Sequence, residues 1–218
     1  MSTPVKLTAL ALVLVDVILI LGYFVSISGA DIGVTLFHLL DLDGEKSLAM
    51  WFSSAQLFVA GALFAFASVS PSGNSERLFC ALWAAALLFL SADEALGFHE
   101  AISRVFREVS VLPRFSGNHG IWIPIYTAVG LLFLGIIAKP AVRLWRRGNG
   151  GIGLLFAGLA IFVCGAVVLE IMSYGELRAP GSRRLYRLQV AVEEGLELIG
   201  ISVILLGAML ITARSEIP

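Results

Sequence analysis

Ser91-Ala92-Asp93-Glu94-Ala95-Leu96-Gly97-Phe98-His99-Glu100 places carboxyl groups and an imidazole in an otherwise apolar setting. On a straight helix turning about 100° per residue, Asp93, Gly97 and Glu100 share a face, with Glu94 to one side and His99 to the other. Farther on, Glu193, Glu194 and Glu197 fall within an arc of about 100°. Glu170 adds a carboxyl, with Ser173 and Tyr174 flanking it. Carboxylates with imidazole at this density suit a divalent cation such as zinc, iron or manganese, whose bound water a carboxylate would activate as general base. The expected metal-ligating set is Asp93, Glu94, His99, Glu170, Glu193, Glu194 and Glu197. Glu94 and His99 stand five apart, so one ion cannot take both from a single straight face. The nearest pattern is the bundle di-metal site with paired Glu-x-x-His, and no Glu-x-x-His occurs here. Three close carboxylates in a poorly solvated site require cations or protons to neutralise them.

The elements that carry these groups are apolar blocks. Of 218 residues, 58% are hydrophobic and 14% charged, with a mean hydropathy of +0.92. A soluble domain runs nearer 45–50% apolar and about 25% charged. The blocks 7–28, 47–69, 78–98, 120–138, 152–173 and 187–212 reach the roughly 20 residues that span a hydrocarbon core. Connectors carry breakers such as Asp43-Gly44, Pro71-Ser72-Gly73-Asn74 and Pro180-Gly181. The expected fold is all-α, a polytopic transmembrane bundle of about six helices forming one domain over 1–218, because lipid demands internally satisfied backbone and no alternating barrel strands occur. The first block follows Lys6 and precedes a small-residue stretch at Ser28-Gly29-Ala30, but it is long for a signal h-region and reads as a retained helix. Residues 100–118 and 33–42 read as short interfacial helices on one face. No internal repeat of the inverted-transporter kind is found.

With six crossings, connectors 29–46, 99–119 and 174–186 share one side, termed the odd side, and both termini share the other. The odd half holds all three histidines (His38, His99, His119) and most acids, while Glu76 and Glu216 lie on the even side and Asp16 lies midway along the first helix. Lys and Arg divide nearly equally, but the compact run Lys139, Arg143, Arg146 and Arg147 places the even side and both termini in the cytoplasm. A net charge of -1 gives no case for nucleic acid. Cys80 and Cys164 sit in apolar blocks as small apolar side chains.

Each feature has a plainer reading beside the functional one. Arg183, Arg184 and Arg187 precede the last helix, where they could lock its acids into a purely structural ion-pair network. Asp41-Leu42-Asp43-Gly44-Glu45 reads as a helix-capping turn rather than a calcium loop, since position twelve is Phe52. His38 reads as an interface histidine and His119 as a polar loop residue. Ser53, Ser54 and Gln56 serve helix packing, and Trp51, Trp122 and Tyr126 serve interfacial anchoring. No nucleophile elbow, phosphate loop or paired-cysteine motif occurs.

Leu42-Asp43-Gly44-Glu45 with Trp51-Phe52-Ser53-Ser54, Ser91-Ala92-Asp93-Glu94 through His99-Glu100, and Glu193-Glu194-Gly195-Leu196-Glu197-Leu198-Ile199-Gly200 together carry a resemblance. On these stretches the chain resembles a family of uncharacterised bacterial multi-pass proteins. The resemblance implies a bacterial inner membrane and supplies no activity. A looser similarity to membrane hydrolases of the ceramidase type meets the difficulty that those hold zinc with three helix histidines, whereas only His99 stands near a helix interior here.

Three readings follow. The first is a metal-dependent membrane enzyme acting on a lipid or amphiphile, its headgroup received by interfacial Arg residues. The second is a proton- or cation-coupled carrier in which Asp16 continues a path from the odd-side acids, and which requires Asp16 to face another polar group inside the bundle. The third is an accessory subunit docking membrane-protein partners, with its acids paired to Arg and no polar cavity. All three share one geometric expectation, because a charged side chain facing lipid costs roughly 2.5–3.5 kcal/mol. The third, fifth and sixth helices should be mutual neighbours, with Glu193 and Glu197 aimed at Asp93 or Glu94 and at Glu170, and with His99 near the rim of the same cluster.

Overall fold

The computed structural model describes residues 3–29, 31–44, 46–70, 73–109, 120–173 and 183–213. His119 and the side chain of Arg183 lie outside the described residues. The described chain is helical, without a strand, in the order α1 (Thr3–Ile27), α2 (Val34–Leu40), α3 (Leu48–Val69), α4 (Asn74–Leu96), α5 (Phe98–Val105), α6 (Trp122–Arg146), α7 (Gly150–Val163), α8 (Glu170–Ser173) and α9 (Arg183–Thr212). Between α7 and α8 the helix continues through a π-helical turn, Cys164–Leu169. Among the described residues, six helices are long and apolar enough to cross a membrane, α7 and α8 forming the fifth as Gly150–Ser173.

Local chemistry explains where these helices begin and end. Ser47 caps α3 by accepting from the Met50 N–H at 3.1 Å, and Asn149 caps α7 by accepting from the Gly151 N–H at 3.1 Å. α4 stops at Gly97, whose left-handed φ of 63° lets its N–H reach the Asp93 carbonyl at 2.7 Å. The fourth span continues well past the expected 138, through Pro140 and Arg143, so the basic run 139–147 is mostly helix rather than connector. Arg143 and Arg146 then lie in its last turn, where cations complement the helix dipole. Arg147, just beyond it, ion-pairs with Glu76 in the first turn of α4. Short helices occur within or overlapping the two segments expected to be interfacial, as α2 and as α5 followed by a 3-10 turn over Phe106–Glu108; residues 110–118 of the second segment lie outside the described residues.

Leu10, Leu14 and Ile18 of α1, Phe58 and Phe66 of α3, and Leu131 and Leu132 of α6 are exposed, as expected of surfaces solvated by lipid tails. Inside, Phe64, Phe79 and Trp83 are buried together, with the Trp83 ring stacked near Phe64 and edge-on to Phe133 and Phe156. A second core joins Leu19 and Tyr23 of α1 to Val190, Ala191 and Leu198 of α9.

α7 and α9 approach most closely through glycine. A Cβ at Gly158 would fall 2.6 Å from the Ile204 nitrogen, one at Gly200 2.5 Å from the Phe162 nitrogen, and one at Gly207 2.6 Å from the Leu155 nitrogen. This is the small-residue packing by which helices associate in lipid, where apolar burial alone supplies no drive.

Candidate functional site

A cavity of about 720 Å³ opens at the odd end of the bundle. Its acidic lining comes from Asp93 and Glu94 of α4, Glu100 of α5, Glu170 of α8, and Glu193, Glu194 and Glu197 of α9, with Asp43 at the rim. Leu134 of α6 and Leu159 and Phe162 of α7 make its apolar wall, and His99, Trp122 and Tyr126 complete it. The acids of the third, fifth and sixth spans thus face one space. The helices themselves are arranged differently from the expectation: α7 packs on α9, α4 packs on α3, and the cavity lies between the two pairs.

The α4 end is organised by its break at Gly97. Because the chain reverses there, the His99 backbone N–H donates to Asp93 Oδ1 at 2.8 Å, and His99 Nδ1 lies 3.3 Å from both Asp93 carboxylate oxygens. An ionised carboxylate only accepts, so Nδ1 carries the proton. Tyr126 donates its hydroxyl to Asp93 Oδ1 at 3.1 Å, and the Trp122 ring lies edge-on to both His99 and Tyr126. Burial pushes the His99 imidazole down, but the Asp93 hydrogen bond and the charges of Asp93, Glu100 and Glu94 outweigh it and leave its pKa above the ordinary value. Glu100 pairs with Arg104 one turn on, at 3.4 Å.

On the opposite wall, Gln189 donates to Glu193 Oε2 at 2.8 Å and to the Leu169 carbonyl at 3.1 Å, tying α9 to the π-turn. The Ser173 hydroxyl lies 3.3 Å from Glu170 Oε2. Gly165 sits against the first turn of acids: a Cβ there would fall 2.8 Å from the Glu193 carbonyl oxygen and 2.9 Å from Glu197 Cγ. Glu194 is within electrostatic reach of Glu94, Glu193, Asp43 and Glu170, and Glu197 of Glu194, Glu94, Glu193 and Glu170. Among the described residues, no Lys or Arg lies at salt-bridge distance from Glu94, Glu194 or Glu197.

The seven metal-ligating residues do not gather into one coordination shell: among the described residues, no three His, Cys, Asp or Glu side chains are disposed to hold a metal ion. The reason is the break at Gly97, which turns Asp93 and His99 toward each other and Tyr126, while the remaining carboxylates are spread over the cavity wall. Of the basic residues before α9, Arg187 donates to the Ile27 carbonyl at 3.2 Å, at the C-terminal end of α1, and Arg184 is exposed. Of the other histidines, His38 is exposed on α2 with its ring beside Phe37.

Asp16 is buried, at 3% exposure, and its Oδ2 accepts from the Ser202 hydroxyl at 2.9 Å. The same hydroxyl oxygen lies 3.1 Å from Gln56 Oε1. Tyr126, Gln189 and Ser202 are working partners that the sequence reading passed over or assigned elsewhere; a hydroxyl or amide at helical spacing from a buried acid is the signal that marks Gln189.

The chain matches the family described as Domain of unknown function (DUF8692) over residues 8–212, nearly its whole length. No curated protein and no solved structure matches it.

Proposed function

Since the chain belongs to this family of unknown function, the site alone carries a functional reading, and we propose a proton- or cation-coupled membrane carrier whose odd-face cavity takes up the cation. One observation carries it: Glu94, Glu194 and Glu197 converge on an open cavity without a Lys or Arg partner among the described residues. Carboxylates left so close together repel one another unless protons or another cation join them. Uptake of a cation and release of protons are then two sides of one exchange. Asp16 supports a continuation of the path, since it faces inward and accepts from Ser202 of α9, whose hydroxyl also lies against Gln56 of α3. Ser202 stands five residues beyond Glu197, about 7.5 Å along the helix axis.

The test is reconstitution of the full chain in liposomes containing a pH-sensitive dye, with an imposed gradient of sodium, potassium, manganese or a small alkylammonium ion. Proton movement driven by at least one gradient, and abolished in Glu194→Gln/Glu197→Gln, is expected. Absence of proton movement with all four cations overturns the reading.

A metal-dependent enzyme is the second reading, favoured by His99. A histidine whose Nδ1 is held by a carboxylate is the arrangement that orients an imidazole metal ligand through Nε2. Under this reading, elemental analysis finds a transition metal in purified protein that is lost in His99→Ala; protein without metal, and unable to acquire it, ends it.

A further inference from the structure

Asp16 on α1, Gln56 on α3 and Ser202 on α9 meet in the bundle interior, 3%, 3% and 4% exposed. The Ser202 oxygen stands at hydrogen-bond distance from two acceptors, 2.9 Å from Asp16 Oδ2 and 3.1 Å from Gln56 Oε1. A serine hydroxyl has one hydrogen. With Asp16 ionised, that hydrogen serves one oxygen, and the other contact becomes two lone-pair-bearing oxygens facing each other without a proton. With a proton on Asp16 Oδ2, both contacts are hydrogen bonds of ordinary length: Asp16 donates to Ser202, and Ser202 donates to Gln56.

A second observation points the same way. Asp16 Oδ1 is buried with no hydrogen-bond partner, and no cation lies at salt-bridge distance from Asp16 among the described residues. An ionised carboxylate with one oxygen bare inside an apolar bundle is far costlier than the carbonyl of a neutral acid.

We infer that Asp16, Ser202 and Gln56 form a buried proton-binding site, in which a neutral Asp16 donates through Ser202 to Gln56 and so ties α1, α9 and α3 together. Loss of the proton breaks one link of the chain, because Ser202 must then turn from Gln56 to the new carboxylate. The occupied site links three helices by hydrogen bonds, and the emptied site loses its link to α3. The competing arrangement turns the Gln56 amide so that its N–H, otherwise buried without a partner, donates to Ser202, which reverses the chain and suits an ionised Asp16 while leaving Asp16 Oδ1 bare. The site stands apart from the cavity reading and holds whether or not the cavity carries cations.

Infrared difference spectroscopy of the full chain in lipid, wild type minus Asp16→Asn, distinguishes the two. A carbonyl band of a protonated carboxylic acid that is present in wild type and lost in the variant is expected, and Ser202→Ala should shift that band in otherwise unaltered protein. Asp16→Asn should keep its thermal stability, since its amide N–H replaces the acid O–H as donor to Ser202. If the variant instead loses ionised-carboxylate absorption, or if Ser202→Ala shifts no acid band, the proton is not there and the inference is overturned.

Discussion

The seam between α7 and α9 uses one packing device for two purposes. Toward the even side, Gly158, Gly200 and Gly207 let backbone lie against backbone with apolar side chains around them. Toward the odd side, Gly165 meets the Glu193 carbonyl and the stem of Glu197, and the surface beyond is acidic. The first end is closed and the second borders a cavity. The comparison teaches that the acids stand on a closely packed support: the Glu193 backbone and the Glu197 stem lie against Gly165 in the same close approach that packs the apolar half, which opposes any parting of the helices under the acids' mutual repulsion.

The sharpest way to break this comparison is at the closed end. Gly158→Val forces a side chain against the α9 backbone and should cost about 3 kcal/mol, seen as a large fall in thermal unfolding temperature in detergent. Gly135→Ala, where a Cβ would meet nothing within 4 Å, is the control and should not destabilise. Equal effects at the two positions would mean that the seam is not tightly packed.

Asp93→Asn probes the partnered acid of the open end, with an expected cost of about 2 kcal/mol at acid pH. The His99 pKa is raised in the folded chain, so its contribution is fully present below the unfolded value and is lost as pH rises through the folded one. Unfolding measured at pH 5 and pH 9 should therefore show the larger loss at pH 5, and NMR should show the His99 titration moving down in the variant. A loss independent of pH would remove the ionic part of the pairing.

Glu194→Gln should do the opposite, stabilising the chain by up to about 1 kcal/mol, since it removes a charge placed among like charges. Destabilisation would instead identify Glu194 as half of a structural ion pair. Smallest of all is Arg104→Ala, whose exposed one-turn pair with Glu100 should change stability by less than about 0.5 kcal/mol.

Span positions and the inward aim of the acids were legible in the sequence, because both follow from the cost of placing charge in lipid and need no tertiary information. Helical phase was the tool for everything finer, and it worked along α9, where Glu193, Glu194 and Glu197 lie on one unbroken helix. It failed at Gly97, where a left-handed residue resets the phase and brings His99 back onto Asp93, a pairing that no straight wheel contains. It also had no means of placing Gln56, whose role depends on which helix lies opposite. Packing is the natural reading of a lone glutamine in an apolar helix, and only the fold sets the Ser202 hydroxyl against it.

The π-turn at Cys164–Leu169 gives the fifth span a place where its length and its facing are uncoupled. A wider turn absorbs one residue more than regular α-helix holds, whereas one residue added to or taken from regular helix turns everything beyond it by about 100°. Removing one codon from the wide turn would restore a regular helix and leave Glu170 and Ser173 on their present side, while the same deletion within Gly150–Val163 would swing them around the axis relative to Gly151. The wide turn is thus the one stretch where the fifth helix can change length without turning its carboxyl away from the cavity.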